Sequence, residues 1–265
     1  MNEQSRKALY DTALEWTYES GKHIREKMEN TYNVDIKAHQ HDLVTDVDRS
    51  VEQFFRDRVK KSFPAHRIMG EEGLGENVED LKGTVWIIDP IDGTVNFVHQ
   101  GCYFAVSVGI FHNGEPVAGI VYDVMADEMF SALAGKGLWL NGKPLPQLAD
   151  TSIDEALLSF NNGWMMKDRR LEELVRQSRG IRSYGAAALE MAYVACGRIE
   201  AYISFNLAPW DVAGGYVLIT EAGGTVTNYT GEPLTFLKKD TLLAANASVY
   251  HTITDLLEQA GNETR

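Results

Sequence analysis

Hydrophobic positions in the first half of the chain change period twice, and each change marks an element. Leu9, Ala13 and Trp16, followed by Ile24 and Met28, recur at helical spacing, so the first thirty residues predict one long amphipathic helix. From Thr31 to His41 the chain is polar and aperiodic, which reads as a loop. His39 and His41, the one close histidine pair, fall inside it and read as solvated. Val47, Val51, Phe54, Phe55 and Val59 restore the 3.6 period behind Thr45 or Asp46 as N-cap, predicting a second helix. Thr84 to Ile88 is a β-branched and aromatic run, the pattern of a buried strand. Phe104 to Phe111, Val117 to Tyr122 and Glu128 to Leu133 are strand-like and separated by turn residues such as Asn113-Gly114. Together they predict an antiparallel sheet beside the two helices.

Around Asn141-Gly142-Lys143-Pro144 the pattern changes. Short strands at Ala156 to Phe160, Ile199 to Ser204, Gly224 to Thr227 and Thr241 to Ala245 alternate with helices. Those helices run from Lys167 to Arg179, Ala186 to Cys196, Trp210 to Glu221 and Ser248 to Ala260. Alternation of this kind predicts an α/β half. The expected division is therefore an N-terminal α+β half, residues 1–142, and a C-terminal α/β half, residues 143–265.

Composition narrows the function. A net charge of −13 argues against nucleic acid or an anionic membrane as ligand, because both need a basic face. It leaves a phosphorylated substrate open if divalent cations neutralise the site. No apolar run approaches the roughly 18 residues of a membrane span, and no apolar segment of a secretory signal follows Met1. Cys102 and Cys196 lie far apart without metal-binding spacing, as expected of reduced thiols in a cytoplasmic protein.

The candidate chemistry is acidic. The run Trp86-Ile87-Ile88-Asp89-Pro90-Ile91-Asp92-Gly93-Thr94-Val95-Asn96-Phe97 delivers two carboxylates into a turn forced by Pro90 and permitted by Gly93. Thr94 then opens a helical turn. Anionic oxygens suit a hard cation and the N–H groups at a helix start suit an anion, so a phosphate bridged to magnesium would find both. Upstream, Glu71 and Glu72 sit side by side between Gly70 and Gly73; downstream, Asp211 follows Pro209-Trp210 in the first turn of a helix. Each fragment alone also has a structural explanation, as a solvated loop or a helix-dipole aspartate. Every candidate ligand is an oxygen, which favours magnesium over zinc.

Taken together, Gly70-Glu71-Glu72, the Trp86–Phe97 run and Trp210-Asp211-Val212-Ala213-Gly214 resemble the signature set of the inositol monophosphatase family, in its bacterial type. That family is magnesium-dependent and lithium-sensitive. The likeness runs from Asp42-Leu43-Val44-Thr45 to Thr220-Glu221-Ala222-Gly223-Gly224, and the short gap from Glu71 to Asp89 is that of monophosphatases. The resemblance implies an alternating α-β-α-β-α layered sandwich, a homodimer and two or three magnesium ions. It implies a first metal on Glu71, Asp89 and the Ile91 carbonyl, and a second on Asp89, Asp92 and Asp211, with Glu72 in support. Glu71 and Thr94 would activate a water, with Asp48 hydrogen-bonding Thr94. Gly93 and Thr94 would bind phosphate through their N–H groups, and Lys37 would close over it from a mobile loop. Asp92 and Asp211 would also meet the substrate, and Ala187, within Gly185-Ala186-Ala187-Ala188, would approach the sugar ring through its backbone.

One position departs from the family pattern. Ser204 stands where many members carry a glutamate that accepts hydrogen bonds from inositol hydroxyls, which opens the question of selectivity. The expected substrate is a small phosphate monoester, inositol 1-phosphate first. Alternatives are the same chemistry on fructose 1,6-bisphosphate or NADP, or a protein-binding regulatory role with secondary catalysis.

Overall fold

The computed structural model describes residues 1–36, 43–73 and 78–263. Helix α1 (Glu3–Met28) buries Leu9, Ala13, Trp16 and Ile24, and α2 (Asp46–Ser62) buries Val47, Val51, Phe55 and Val59. Both form where the hydrophobic period predicts them. Thr45 is the N-cap of α2: its hydroxyl accepts from Val47 N and Asp48 N, and the Asp48 carboxylate accepts in return from Thr45 N at 2.9 Å. The stretch read as a polar loop contributes a short strand instead. There β1 (Val34–Ile36) pairs antiparallel with β2 (Leu43–Thr45). All three residues of β1 are exposed, and the alternation Val34-Asp35-Ile36 is too short to stand out in the sequence. Lys37, His39, His41 and Asp42 lie outside the described residues.

The first sheet has seven strands in chain order: β3 (Arg67–Gly70), β4 (Thr84–Asp92), β5 (Ala105–His112), β6 (Glu115–Asp123), β7 (Glu128–Leu133), β8 (Gly137–Leu140) and β9 (Lys143–Pro144). All pairs are antiparallel except β3 with β4. A seven-residue helix, α3 (Thr94–Gln100), follows β4.

The second sheet is mixed. Its spatial order is β11 (Gly180–Arg182), β10 (Leu157–Ser159), β12 (Ala201–Leu207), β14 (Asp240–Ala245) and β13 (Thr225–Thr227). Helix α6 (Ala187–Ala195), α7 (Pro209–Glu221) and α8 (Ala247–Glu263) match the sequence reading to within a few residues. The helix expected from Lys167 to Arg179 does not form as one piece. Only α5 (Leu171–Gln177) forms within that range, and a separate helix, α4 (Asn162–Lys167), ends at its first residue; between them the Asp168 carboxylate accepts from Arg170 N at 3.0 Å and also pairs with the Arg170 guanidinium.

Alternation along the strands sets the layers. Trp86, Ile88, Val106 and Val108 pack with α1 and α2 on one face of the first sheet. Val85, Ile87, Phe111 and Val121 pack with α6 and α7 on the other. The second sheet gives Tyr202, Leu242 and Ala244 to that same middle layer, while Leu158, Ile203 and Leu243 meet α5 and α8 outside. The result is the expected α-β-α-β-α sandwich.

Candidate active site

Strand β3 stops at Gly70, paired with Ile88, so from Asp89 onward β4 pairs only with β5. Pro90, which has no N–H to offer, therefore stands beside the end of β3 rather than within a three-stranded ladder. The strand does not turn at Pro90, as its residues suggest; it continues to Asp92 with a register irregularity between Asp89 and Asp92. That irregularity has a consequence for the carboxylates. Residues three apart on a regular strand point to opposite faces, and here Asp89 and Asp92 are turned into one cavity. The turn comes at Gly93, with φ 88°, where an added Cβ would lie 2.9 Å from Ala186 Cβ and 3.2 Å from Tyr103 O. Helix α3 starts immediately after it.

Asp211 arrives from α7. Pro209 opens this helix, and Asp211 accepts from Ala208 N at 2.8 Å, which fixes its carboxylate at the helix start. The helix lies directly on the strand backbone. A Cβ on Gly109 of β5 would be 2.7 Å from the Ala213 carbonyl carbon, and one on Gly214 would be 2.9 Å from Ile120 O.

One carboxylate oxygen from each of Asp89, Asp92 and Asp211 lies within 4.8 Å of the other two. They share a cavity of about 320 Å³ with Glu71, Thr94 and Ser204. Asp92 accepts from two N–H groups at the start of α6, Ala187 N at 3.2 Å and Ala188 N at 2.7 Å. Asp89 accepts from Ile91 N at 3.1 Å. Thr94 Oγ1 donates to Asp48 Oδ1 at 3.2 Å and lies 3.1 Å from Ile91 O.

These carboxylates are held far from their ordinary behaviour. Burial, then repulsion from Glu71 and the other aspartates, raises Asp89 well above the usual carboxylate range. Burial and Asp211 do the same to Asp92 against the pull of Ala188 N and Ala187 N. Asp211 is pushed up to about 7, chiefly by burial. Asp48 is also raised by burial, opposed by its bonds to Thr45. A buried set of converging, mutually repelling oxygen donors fits a hard divalent cation, whose charge would reverse each of these shifts.

Of the residues singled out from sequence, Glu71, Asp89, Ile91, Asp92, Gly93, Thr94, Ala187, Ser204 and Asp211 all line this one cavity. Asp48 stands behind it through Thr94. The Ala187 N–H is taken by Asp92, and Ser204 is only 3% exposed. Glu72 N donates to the buried Glu52 carboxylate at 2.6 Å, a contact that ties the Glu71-Glu72 turn to α2. Other wall residues, Glu190, Tyr202 and Trp164 among them, escape a sequence reading. Only Glu190 carries a signal, as the single charged residue within the apolar helix α6.

The profile of the inositol monophosphatase family matches residues 5–262. Inositol-1-monophosphatase of Bacillus subtilis (strain 168) is 49% identical over 248 residues, covering 92% of this chain and 94% of that protein. Inositol monophosphatase II from Staphylococcus aureus MSSA476 superposes with a TM-score of 0.87 at 41% identity, over 96% of this chain and 97% of the other. An IMPase/NADP phosphatase solved with Mg2+ and phosphate gives a TM-score of 0.88 at 26% identity, over 96% of each chain.

Proposed function

The chain belongs to the inositol monophosphatase family and is a phosphatase, and we propose that it hydrolyses inositol 1-phosphate to inositol and phosphate with magnesium as cofactor. The observation that carries this reading is the convergence of Asp89, Asp92 and Asp211 in a cavity beside the start of α3. Asp89, Asp92 and Asp211 would hold one ion; Glu71, Asp89 and the Ile91 carbonyl would hold another. Bound there, magnesium supplies neutralisation of the phosphoryl oxygens and acidity to water.

The chain's own groups do the rest. Thr94 Oγ1, donating to Asp48 Oδ1, keeps its lone pairs for a proton of the attacking water. Asp48, already hydrogen-bonded to that hydroxyl, would receive the proton that Thr94 passes on. Gly93 N and Thr94 N, at the start of α3, would hold the phosphate oxygens. Water oxygen bonds to phosphorus, the ester P–O bond breaks, and the departing inositol oxygen takes a proton from solvent.

Ser204 sets the expected selectivity. It is short, neutral and buried in the cavity wall, so inositol hydroxyls gain no charged acceptor from it. Preference for inositol 1-phosphate over other monoesters should therefore stay within about tenfold in kcat/KM, ~1.4 kcal/mol. A phosphate-release panel at fixed magnesium tests the assignment, with inositol 1-phosphate, fructose 1,6-bisphosphate, NADP and 3′-phosphoadenosine 5′-phosphate. Highest efficiency on inositol 1-phosphate supports it. A clear preference for the bisphosphate or NADP would move the substrate, and turnover without any divalent cation would overturn the metal reading. The same proposal extends to a cytoplasmic homodimer inhibited by lithium, which light scattering and a lithium titration would check.

A further inference from the structure

The turn from Tyr184 to Ala188 touches the candidate site twice. At its end, Ala187 N and Ala188 N donate to the two oxygens of Asp92. In its middle, it packs on Gly93, where an added Cβ would meet Ala186 Cβ at 2.9 Å and Gly185 O at 3.4 Å. The turn thus borders both a candidate metal ligand and the backbone that would bind phosphate. It lies between β11 and α6, and Gly185 takes a φ of 77° within it.

Two side chains fix its shape. Asn96 Nδ2 donates to Tyr184 O at 2.7 Å and to Tyr103 O at 2.8 Å. Glu190 Oε1 accepts from Tyr184 N at 2.8 Å and from Gly185 N at 2.9 Å, while its other oxygen accepts from the Ser159 hydroxyl. Glu190 is 3% exposed and lines the same cavity as Asp92.

We propose that Glu190 is a positioning residue for Asp92: by holding Tyr184 N and Gly185 N it places the two N–H groups that orient the Asp92 carboxylate. The inference rests on the reading of Asp89, Asp92 and Asp211 as metal ligands. Capping a helix start does not require a buried carboxylate, because a short hydroxyl or amide side chain does so without the desolvation penalty of a charge. What a carboxylate adds is one oxygen that accepts two successive N–H groups through charge-assisted bonds, which pins both peptides at once. Each Asp92 oxygen already accepts from an α6 N–H, so the plane of its carboxylate follows those donors. Groups behind a metal ligand set its affinity in this way, typically by about 10–100-fold.

The test is a Mn2+ titration followed by EPR, which reads metal binding without turnover, alongside the magnesium dependence of kcat. The wild type is expected to show two classes of site. Glu190→Ala should weaken one class by about tenfold or more and leave the other within about twofold. Glu190→Gln, which retains an oxygen for Tyr184 N and Gly185 N, should stay within about threefold of wild type. If Glu190→Ala does not fold, Glu190→Asp, one methylene too short to reach both N–H groups, should show the same one-class loss. Equal weakening of both classes, or a Glu190→Ala protein that binds Mn2+ as the wild type does, would overturn this inference alone. A wild type that binds no Mn2+ overturns the metal reading and this inference with it.

Discussion

Asp89 is the residue on which the two candidate metal positions meet, and its environment makes a sharp expectation. Buried beside Glu71, Asp92 and Asp211, its charge is opposed from every side when no cation is present. Asp89→Asn should lower turnover by more than about a thousandfold, ~4 kcal/mol, because both ions lose the same ligand. The metal-free variant should nonetheless melt no lower than the metal-free wild type, since the substitution removes a buried like charge. A variant that keeps more than about a tenth of the rate, a loss under ~1.4 kcal/mol, would rule out the bridging role. Ser204 carries a second expectation. Ser204→Glu places two charged acceptors on the cavity wall, and one charge-assisted bond is worth roughly 1.5–3 kcal/mol. Efficiency on inositol 1-phosphate should rise about tenfold or more while p-nitrophenyl phosphate, which has no hydroxyls to bind, stays nearly unchanged. No gain would point to Asn206, on the same wall, as the acceptor already in place.

Helix α7 is the element that makes the site possible, because it brings Asp211 to a strand more than a hundred residues earlier in the chain. It can do so because backbone meets backbone at Gly214, where a side chain would press against Ile120 O, Val108 N and Ser107 Oγ. Gly214→Val should therefore destabilise the protein by about 1–3 kcal/mol or more and reduce activity more steeply than a general loss of fold explains. Denaturant unfolding and magnesium half-saturation on the same samples check this. Elements of this size were legible in the sequence, since α1, α2 and β4 carry enough apolar positions to show a period. The missed strands β1, β2, β3, β8, β9 and β11 have two to four residues, too few for alternation to register. The break between α4 and α5 was hidden for a different reason: Arg169, Arg170, Glu172 and Glu173 are good helix formers, and the interruption depends on one Asp168 side chain turning to the backbone. The acidic motifs were legible because each holds its residues within a few positions. That Asp89 and Asp92 share a face was not, since it depends on a strand irregularity, and Glu190 shows only as a lone charge in an apolar helix, with nothing to name its partners.

At the scale of the whole molecule, the site lies where the first sheet, the middle helices and the second sheet meet, which buries Asp89 and Asp92 at the floor of the cavity. This ties stability to pH and to magnesium. Asp211 has its pKa raised from 3.8 to about 7 in the metal-free fold, and Asp89 and Asp92 are raised as well. Between the unfolded and folded values, the folded state binds more protons than the unfolded one, so these groups make unfolding easier as pH rises. Carboxylates lowered by ion pairs, such as Glu128 beside Arg198, work in the opposite sense but complete their titration below about pH 4.5. His23 and His66, lowered by burial, also favour the fold as pH rises, up to about 6.5. The contribution of the site is therefore isolated by comparing wild type with Asp211→Asn. Without metal, the Tm of the wild type relative to the variant should fall as pH increases from about 4 to about 7. Magnesium binds the ionised carboxylates, so its stabilising effect on the wild type should be larger at pH 8 than at pH 5, and much reduced in the variant. A metal-free wild type that gains stability over Asp211→Asn across that window would mean that Asp211 is ionised and paired in the fold. The acidic cluster would then be a structural network rather than a cation site waiting for its ion.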